Sequence, residues 1–223
     1  MLNLGHLIEF SAGPYVSYSS LGWLSFAVTV AVAQRFTGMS AVVAYAATTF
    51  ASTKGGLSSD QYTIVFGAIG FFFTFVSTVL LDRLGRRPLM LASCSGCAIF
   101  HIITGVYFSL SFESRESLTW LPFLTISIFS VLYSLGIGPL LNTLQGELFP
   151  PDLKGPASSL TTIAHGVASF IVTKLFQVIR EAWGIKWNFY VFAVFCLVSL
   201  VFAYFAVPET KRKPLSELQR AEG

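Results

Sequence analysis

Long apolar segments alternate with short polar segments along this chain. The apolar segments occupy residues 21–50, 62–81, 89–112, 120–146, 157–179 and 187–207. The hydrocarbon core of a bilayer is about 30 Å thick, and a helix needs about 20 residues to cross it. Each segment reaches that length, and open sheets cannot expose unpaired edges to lipid. The pattern therefore predicts an all-α integral membrane protein with six transmembrane helices.

The composition agrees with a location in a membrane. Of the 223 residues, 54% are hydrophobic and only 11% are charged, whereas a soluble domain carries roughly 25% charged residues. The mean hydropathy is +0.69. The net charge of +3 is small and does not suggest a nucleic-acid partner.

Residues 1–20 predict an N-terminal leader or linker without a cleaved signal peptide, and residues 208–223 predict a C-terminal tail.

Few residues indicate catalytic or metal chemistry. The sequence contains no recognisable nucleophile–base pair, metal-ligand cluster or phosphate-binding glycine loop, so we expect no enzyme, no cofactor and no metal site. Cys94 and Cys97 form a C-x-x-C pair inside an apolar segment. A redox pair needs an accessible setting that stabilises the thiolate, whereas small residues commonly mediate packing between membrane helices. We therefore expect helix packing, with redox use as the alternative.

The densest cluster of charges separates the second and third apolar segments. We call this cluster, residues 81–88 with the sequence LDRLGRRP, the basic turn. Gly85 permits a tight bend, and Pro88 suits the first turn of the following helix. The pattern predicts a short turn between two transmembrane helices. Two roles stay open for it, namely fixing the topology or taking part in gating.

The distribution of lysine and arginine among the loops predicts the orientation. An even number of spans puts both termini on one side, together with the basic turn and a proline-rich loop at residues 147–156. That side carries eight basic residues: Arg83, Arg86, Arg87, Lys154, Lys211, Arg212, Lys213 and Arg220. The other side carries four: Lys54, Arg115, Arg180 and Lys186. Both termini are therefore predicted to be cytoplasmic, and the plasma membrane is the default location.

The predicted helices divide into two triplets whose first members are both interrupted. Gly38 lies within the first helix, and Gly136, Gly138 and Pro139 lie within the fourth. Paired helices broken by glycine or proline at corresponding positions indicate the binding site of a transporter built from inverted repeats. The alternative is that these small residues serve helix packing alone.

Several motifs resemble those of the sugar porter family of the major facilitator superfamily. Residues 82–87 (DRLGRR), Glu147 with Lys154 seven residues on, and residues 208–211 (PETK) resemble charge motifs that the family carries at helix ends. Residues 138–140 (GPL) and 146–150 (GELFP) also fit, and the overall similarity is to insect facilitated trehalose or glucose transporters. The resemblance covers only the C-terminal half of such a carrier, six helices arranged as a 3+3 inverted repeat.

The resemblance implies alternating access controlled by a network of charges on the cytoplasmic face. Exposed ion pairs contribute only about 0–1 kcal/mol each, but several together can bias two states that differ by a few kcal/mol. The alternative is static anchoring to anionic lipid. The residues expected in this network are Asp82, Arg83, Gly85, Arg86, Arg87, Glu147, Lys154 and Glu209.

The resemblance also implies a solute site, but the side chains there depart from the family pattern. Where the family has a glutamine pair followed by an asparagine, this chain has Gln34, Arg35 and Ser40. A tenth-helix tryptophan of the family aligns with Asn142, and an eleventh-helix asparagine aligns with His165. The candidate solute-binding residues are Gln34, Arg35, Thr37, Ser40, Tyr45, Asn142 and His165.

Arg35 is the most unusual of these residues. A cation within a transmembrane helix costs at least about 2.5–3.5 kcal/mol on insertion scales, so its side chain should face a cavity or a partner. One interpretation is an anionic or otherwise non-sugar solute. The other is a structural ion pair, or a side chain that extends to the membrane interface.

These features predict the C-terminal half of a sugar-porter-type carrier that moves a small polar solute, sugar or sugar-like, through the lipid bilayer. An N-terminal six-helix half or a second copy of the chain is the expected partner. The alternatives are a truncated or half-length chain without transport activity of its own, a carrier of a non-sugar or anionic solute, and a solute sensor or scaffold.

Overall fold

The structure is a computed structural model that describes residues 18–50, 58–110, 118–139 and 151–206. Those parts of the chain form eight helices, the helical residues 137–139 and no strand. The helices are α1 (Tyr18–Phe36), α2 (Met39–Ala44), α3 (Ala46–Phe50), α4 (Ser59–Leu84), α5 (Arg86–Tyr107), α6 (Leu121–Leu135), α7 (Pro151–Trp183) and α8 (Ile185–Ala206). Each of the six predicted spans contains helix, which confirms the all-α fold class.

Four of the helices are long and apolar enough to cross a membrane: Ser59–Leu81, Arg87–Tyr107, Lys154–Trp183 and Ile185–Phe205. The apolar parts of α1 and α6, Ala27–Phe36 and Leu121–Leu135, are shorter. Large apolar side chains are exposed along α4 and α7, among them Phe71, Phe75 and Phe170. An exposed apolar surface is stable when lipid covers it, so these faces fit a protein that lies within a bilayer.

The helices pack in a pattern that repeats between the two triplets. The first triplet consists of α1 with its short continuations α2 and α3, then α4, then α5, and the second consists of α6, α7 and α8. Helix α1 packs on α7, and α6 correspondingly packs on α4. Helix α5 packs on α6, and α8 correspondingly packs on α1, while α5 and α8 pack on each other. Three crossings per triplet invert the second triplet relative to the first, as in a 3+3 inverted repeat.

Small residues form the contact between α5 and α8 at the centre of the bundle. Cys94 and Cys97 of α5 and Cys196 and Ala203 of α8 are fully buried in one apolar cluster. None of the three cysteines forms a disulfide. Helices in lipid associate through close packing rather than through the hydrophobic effect, so small side chains favour a tight contact. This burial favours the packing interpretation of the C-x-x-C pair over the redox interpretation.

Two loops are shorter in the structure than the sequence predicts. Helix α7 begins at Pro151 and continues through Pro156, whereas the sequence predicts a loop over residues 147–156. A proline at the first helical position loses no helix hydrogen bond because its missing N–H would have no partner there. At the other end, α7 extends to Trp183, and α8 begins at Ile185. Gly184, whose φ is 93°, makes the whole turn because glycine adopts positive φ without strain.

Candidate functional site

The first helix is interrupted where the sequence predicts, at Gly38. Helix α1 ends at Phe36, Gly38 has a φ of 92°, and the chain then forms α2 and α3 with a further break at Tyr45. A Cβ atom at Gly38 would clash with the ring of Phe192 on α8. Positive φ and the absence of space both require glycine here. We call residues 34–45 the interrupted segment.

Gln34 joins this interruption to the end of α6. Its Nε2 donates hydrogen bonds to the carbonyl oxygens of Ile137 (2.8 Å) and Gly138 (2.6 Å). Both carbonyls follow the end of α6 at Leu135, where the chain turns at Gly136 and is helical again over residues 137–139. The two interrupted helices therefore meet, and Gln34, which is only 5% exposed, satisfies backbone groups of the second interruption. Its Oε1 is buried and has no hydrogen-bond partner among the described residues.

A second buried side chain makes a hydrogen bond to a backbone carbonyl at the first interruption. His101 of α5, which is 1% exposed, donates from Nε2 to the carbonyl oxygen of Thr37 at 3.0 Å. The imidazole packs against Phe129, with ring centroids 4.2 Å apart, and lies near Phe189 and Phe192. Thr37 itself is fully buried, and its Oγ1 donates to the carbonyl of Gln34 at 2.6 Å. The backbone at the interruption is thus held by hydrogen bonds rather than left free.

Arg35 connects α1, α2 and α7. Its Nε donates to His165 Nε2 at 2.5 Å, and its Nη1 donates to Ser40 Oγ at 2.8 Å. A further contact of 3.2 Å joins Nη2 to His165 Nδ1. A neutral imidazole has one acceptor nitrogen, so His165 accepts through Nε2 or Nδ1 but not through both. All three residues are half-buried.

Tyr45 marks the second break and contacts α7 as well. Its ring stacks on Phe176 with centroids 4.8 Å apart and an interplanar angle of 16°. Its hydroxyl donates to Gln177 Oε1 at 3.4 Å, a long hydrogen bond. Helix α7 therefore contributes His165 and Phe176 to the surroundings of the interrupted segment, about three helical turns apart.

The structure brings six of the seven predicted solute-site residues to one region, and the seventh, Asn142, lies outside the described residues. The six are Gln34, Arg35, Thr37, Ser40, Tyr45 and His165.

The sequence interpretation missed His101, although a histidine in an otherwise uncharged apolar segment is a signal for a functional or structural polar contact. It also missed Tyr133. Its ring lies so close to Gly138 that a Cβ atom added to Gly138 would be 3.3 Å from it.

The basic turn, unlike the interrupted segment, connects two long helices through a single glycine. Gly85 caps the end of α4 and the start of α5 with a φ of 94° and a ψ of 164°. Arg87 donates from Nη2 to the carbonyl oxygen of Tyr204 on α8 at 2.6 Å, and its guanidinium carbon lies 5.4 Å from the centroid of the Tyr204 ring. These contacts tie the start of α5 to the end of α8.

The predicted pairing of this turn with acidic residues falls on residues that the structure does not describe. Glu147 and Glu209 lie outside the described ranges, as do the side chains of Asp82 and Arg86. Arg83 and Lys154 are exposed. Within residues 18–50, 58–110, 118–139 and 151–206, no group of three or more histidine, cysteine or acidic side chains could hold a metal ion.

Two interrupted helices that meet inside a bundle of membrane helices, arranged as two matching triplets, define one half of a major facilitator superfamily carrier. The chain belongs to the sugar (and other) transporter family, whose model matches residues 9–221. The sequence resemblance to sugar porters is therefore confirmed. A family of carriers also agrees with the expectation that the chain is not an enzyme, and the chain is a multi-pass membrane protein.

Several curated relatives of this chain come from insects. The chain is 35% identical over 199 residues to the facilitated trehalose transporter Tret1-2 homolog of Drosophila simulans, covering 88% of this chain and 41% of that protein. It is 36% identical over 189 residues to the facilitated trehalose transporter Tret1 of Bombyx mori, covering 83% of this chain and 37% of that protein. The chain thus spans about two fifths of the length of these relatives.

Solved structures of the transporter XylE have the same fold. A double-tryptophan mutant of XylE matches with a TM-score of 0.78 at 25% identity, covering 90% of this chain and 43% of that chain. The inward open conformation of the xylose transporter XylE from E. coli matches with a TM-score of 0.76 at 22% identity, covering 98% of this chain and 45% of that chain. The described helices therefore correspond to half of a major facilitator fold.

Proposed function

We propose that this chain forms the C-terminal six-helix half of a membrane carrier that moves a small polar solute by alternating access. The observation that carries the proposal is the contact between the two interruptions, in which Gln34 bonds the carbonyls of Ile137 and Gly138. Broken helices that meet inside a bundle place backbone dipoles and polar side chains where a solute can contact them. The trehalose and xylose transporters among the similar proteins support this interpretation.

The solute contacts in this proposal come from the interrupted segment and from α7. Arg35, Ser40, Tyr45 and His165 are only partly buried, so they remain accessible to a solute. Gln34 and Thr37 are buried and act mainly by fixing the backbone around the solute. Asn142 is assigned to the same site from its sequence position alone.

The second half of the carrier is the proposed partner, supplied by a further six-helix chain segment or by a second copy. The chain covers about two fifths of the relatives' length, which leaves room in those proteins for another half. Solutes in alternating access pass between two halves that rock against each other, so transport needs both. We further propose a plasma-membrane location with both termini cytoplasmic, on the basis of the loop charges.

The basic turn is proposed to bias the two conformations of the carrier. Arg87 already joins α5 to α8 at this face through Tyr204. Pairing of Arg83 and Arg86 with Glu147 and Glu209 would add contacts that exist only while this face is closed. Individually weak pairs suffice if a few kcal/mol separate the two states.

Uptake into proteoliposomes tests the proposal. The purified 223-residue chain is reconstituted, and entry of radiolabelled glucose, trehalose and D-glucuronate is measured against empty vesicles. With a second copy of the chain as the other half, we expect saturable uptake of at least one solute. Gln34→Ala should lose about tenfold or more, because the hydrogen bonds that join the two interruptions are removed.

Gln61→Ala is the matched control, since Gln61 caps the start of α4 away from the interrupted segment. It should retain uptake. Absence of saturable uptake of every solute would contradict transport by this chain and favour the half-length alternative without activity of its own. Equal loss of uptake in both variants would contradict the specific role of Gln34.

A further inference from the structure

Arg35 carries a positive charge inside the bundle that no described acidic residue neutralises. The carboxylates whose side chains the structure describes are Asp60, exposed in the first turn of α4, and Glu181, which accepts from Gln177 near the end of α7. Neither contacts Arg35, whose partners are His165 and Ser40. Both partners are acceptors without a negative charge in this arrangement.

The guanidinium also has more donors than these partners use. Nε and Nη1 make the two short hydrogen bonds, and the contact from Nη2 to His165 cannot be a hydrogen bond while Nε2 accepts. His165 and Ser40 lie on α7 and α2, so they hold the guanidinium plane in a fixed orientation. A planar group with fixed, spare N–H donors is suited to a carboxylate, which it binds through two parallel hydrogen bonds.

The position of Arg35 argues against a purely structural role for its charge. It follows directly after Gln34, which connects the two interruptions, and it is half-buried rather than enclosed. A cation at such a place in a membrane protein is costly, and an anion that binds it offsets the cost. The Oε1 of the neighbouring Gln34 is buried and has no hydrogen-bond partner among the described residues.

We propose that the solute of this carrier is a small polyhydroxy carboxylate, a sugar acid, whose carboxylate binds Arg35. This inference rests on the proposed function because it names the solute class for the same site. A neutral sugar would leave the guanidinium unpaired, whereas a uronate places a carboxylate and several hydroxyls on one frame. His165 and Ser40 are positioning residues that orient Arg35 rather than contacts of the carboxylate.

Calorimetric titration of the purified chain in lipid nanodiscs tests the solute class. D-glucuronate and D-glucose are the matched probes, because they differ only in the oxidation of C6 to a carboxylate. We expect D-glucuronate to bind at least about tenfold more tightly than D-glucose. Arg35→Gln should weaken D-glucuronate binding by about tenfold or more and bring the two probes close together.

Two further variants keep the result interpretable. Arg35→Lys retains the charge but loses the paired donors, so its D-glucuronate affinity should fall between those of the wild type and Arg35→Gln. Arg180→Gln removes an exposed arginine from the last turn of α7 and should leave affinity unchanged. Equal thermal stability of the variants shows that lost binding is not lost folding.

The possible outcomes separate this inference from the proposed function. Binding or uptake of D-glucose that exceeds that of D-glucuronate would overturn the sugar-acid inference and leave the carrier intact. Unchanged D-glucuronate affinity in Arg35→Gln would also overturn it, as would the absence of D-glucuronate binding. Absence of uptake of every solute would instead contradict transport by this chain with a second copy as its other half.

Discussion

The interrupted segment and the basic turn are both breaks between helices at a glycine with positive φ, but they are held in different ways. At Gly38, side chains of the bundle hold the backbone: His101 of α5 bonds the carbonyl of Thr37, and Gln34 of the interrupted segment bonds two carbonyls at the second break, after α6. At Gly85, the chain turns locally, and Arg87 makes a single cross-bundle contact with Tyr204 at the helix ends.

This difference follows from the surroundings of each break. Thr37 is fully buried, so water does not reach its backbone and each group freed by the break there needs a protein partner. At the end of the bundle, water and lipid headgroups can satisfy exposed groups, and charged side chains are tolerated. The break inside the bundle is therefore expected to be costly to alter, and the side chain of Arg87 at the end of the bundle inexpensive to remove. The three predictions below test this difference, from the largest expected effect to the smallest.

Substitution of Gly38 should have the largest effect on stability. Gly38→Ala places a side chain at positive φ, which costs roughly 1–2 kcal/mol, and presses it into Phe192, where overpacking costs about 1–3 kcal/mol. We expect a loss of about 3 kcal/mol, measured as a lower thermal midpoint of the purified chain in detergent. Gly67→Ala is the control, since nothing lies within 4 Å of a Cβ there. Equal midpoints for the two variants would show that the interruption is not rigid.

Removal of the buried histidine should have an intermediate effect. His101→Phe keeps the aromatic packing against Phe129 but leaves the carbonyl of Thr37 without its donor. An unsatisfied buried carbonyl costs about 1–3 kcal/mol, so we expect a thermal midpoint between those of Gly38→Ala and the wild type. Ile102→Phe on the exposed face of α5 is the matched control and should be nearly neutral. A wild-type midpoint for His101→Phe would mean that the hydrogen bond contributes nothing.

Substitution in the basic turn should have the smallest effect on stability. Arg87→Ala removes one hydrogen bond to the carbonyl of Tyr204 and a cation–π contact. At an exposed site such contacts contribute about 1 kcal/mol or less. Arg87→Ala should have a clearer effect on how accessible the two membrane faces of the carrier are to a thiol label. A small change in the free-energy difference between two conformations of similar free energy shifts their populations. Arg180→Ala is the control. A shift in stability as large as that of Gly38→Ala would contradict the distinction between the two breaks.

Local features of the chain were predictable because their causes are local. The length of the apolar segments is set by the thickness of the lipid bilayer that a helix must cross. The interruption at Gly38 and the tight turn at Gly85 depend on the conformational freedom of glycine. The helical start of α7 was not predicted, because proline at a first helical position and proline in a loop look alike in sequence. The extension of α7 to Trp183 was missed because the charged residues at its end were interpreted as a loop.

The sequence by itself determined that this is a helical membrane protein of the sugar transporter family, since hydrophobic length and charge motifs lie within short stretches. It also indicated most of the residues around the interrupted segment. Only the tertiary structure decided what those residues do, because the partners of Gln34 and Arg35 lie on other helices. It made Gln34 a support for the end of α6 and left Arg35 with neutral partners. The physical reason is that a buried polar group takes its role from the groups that packing brings to it.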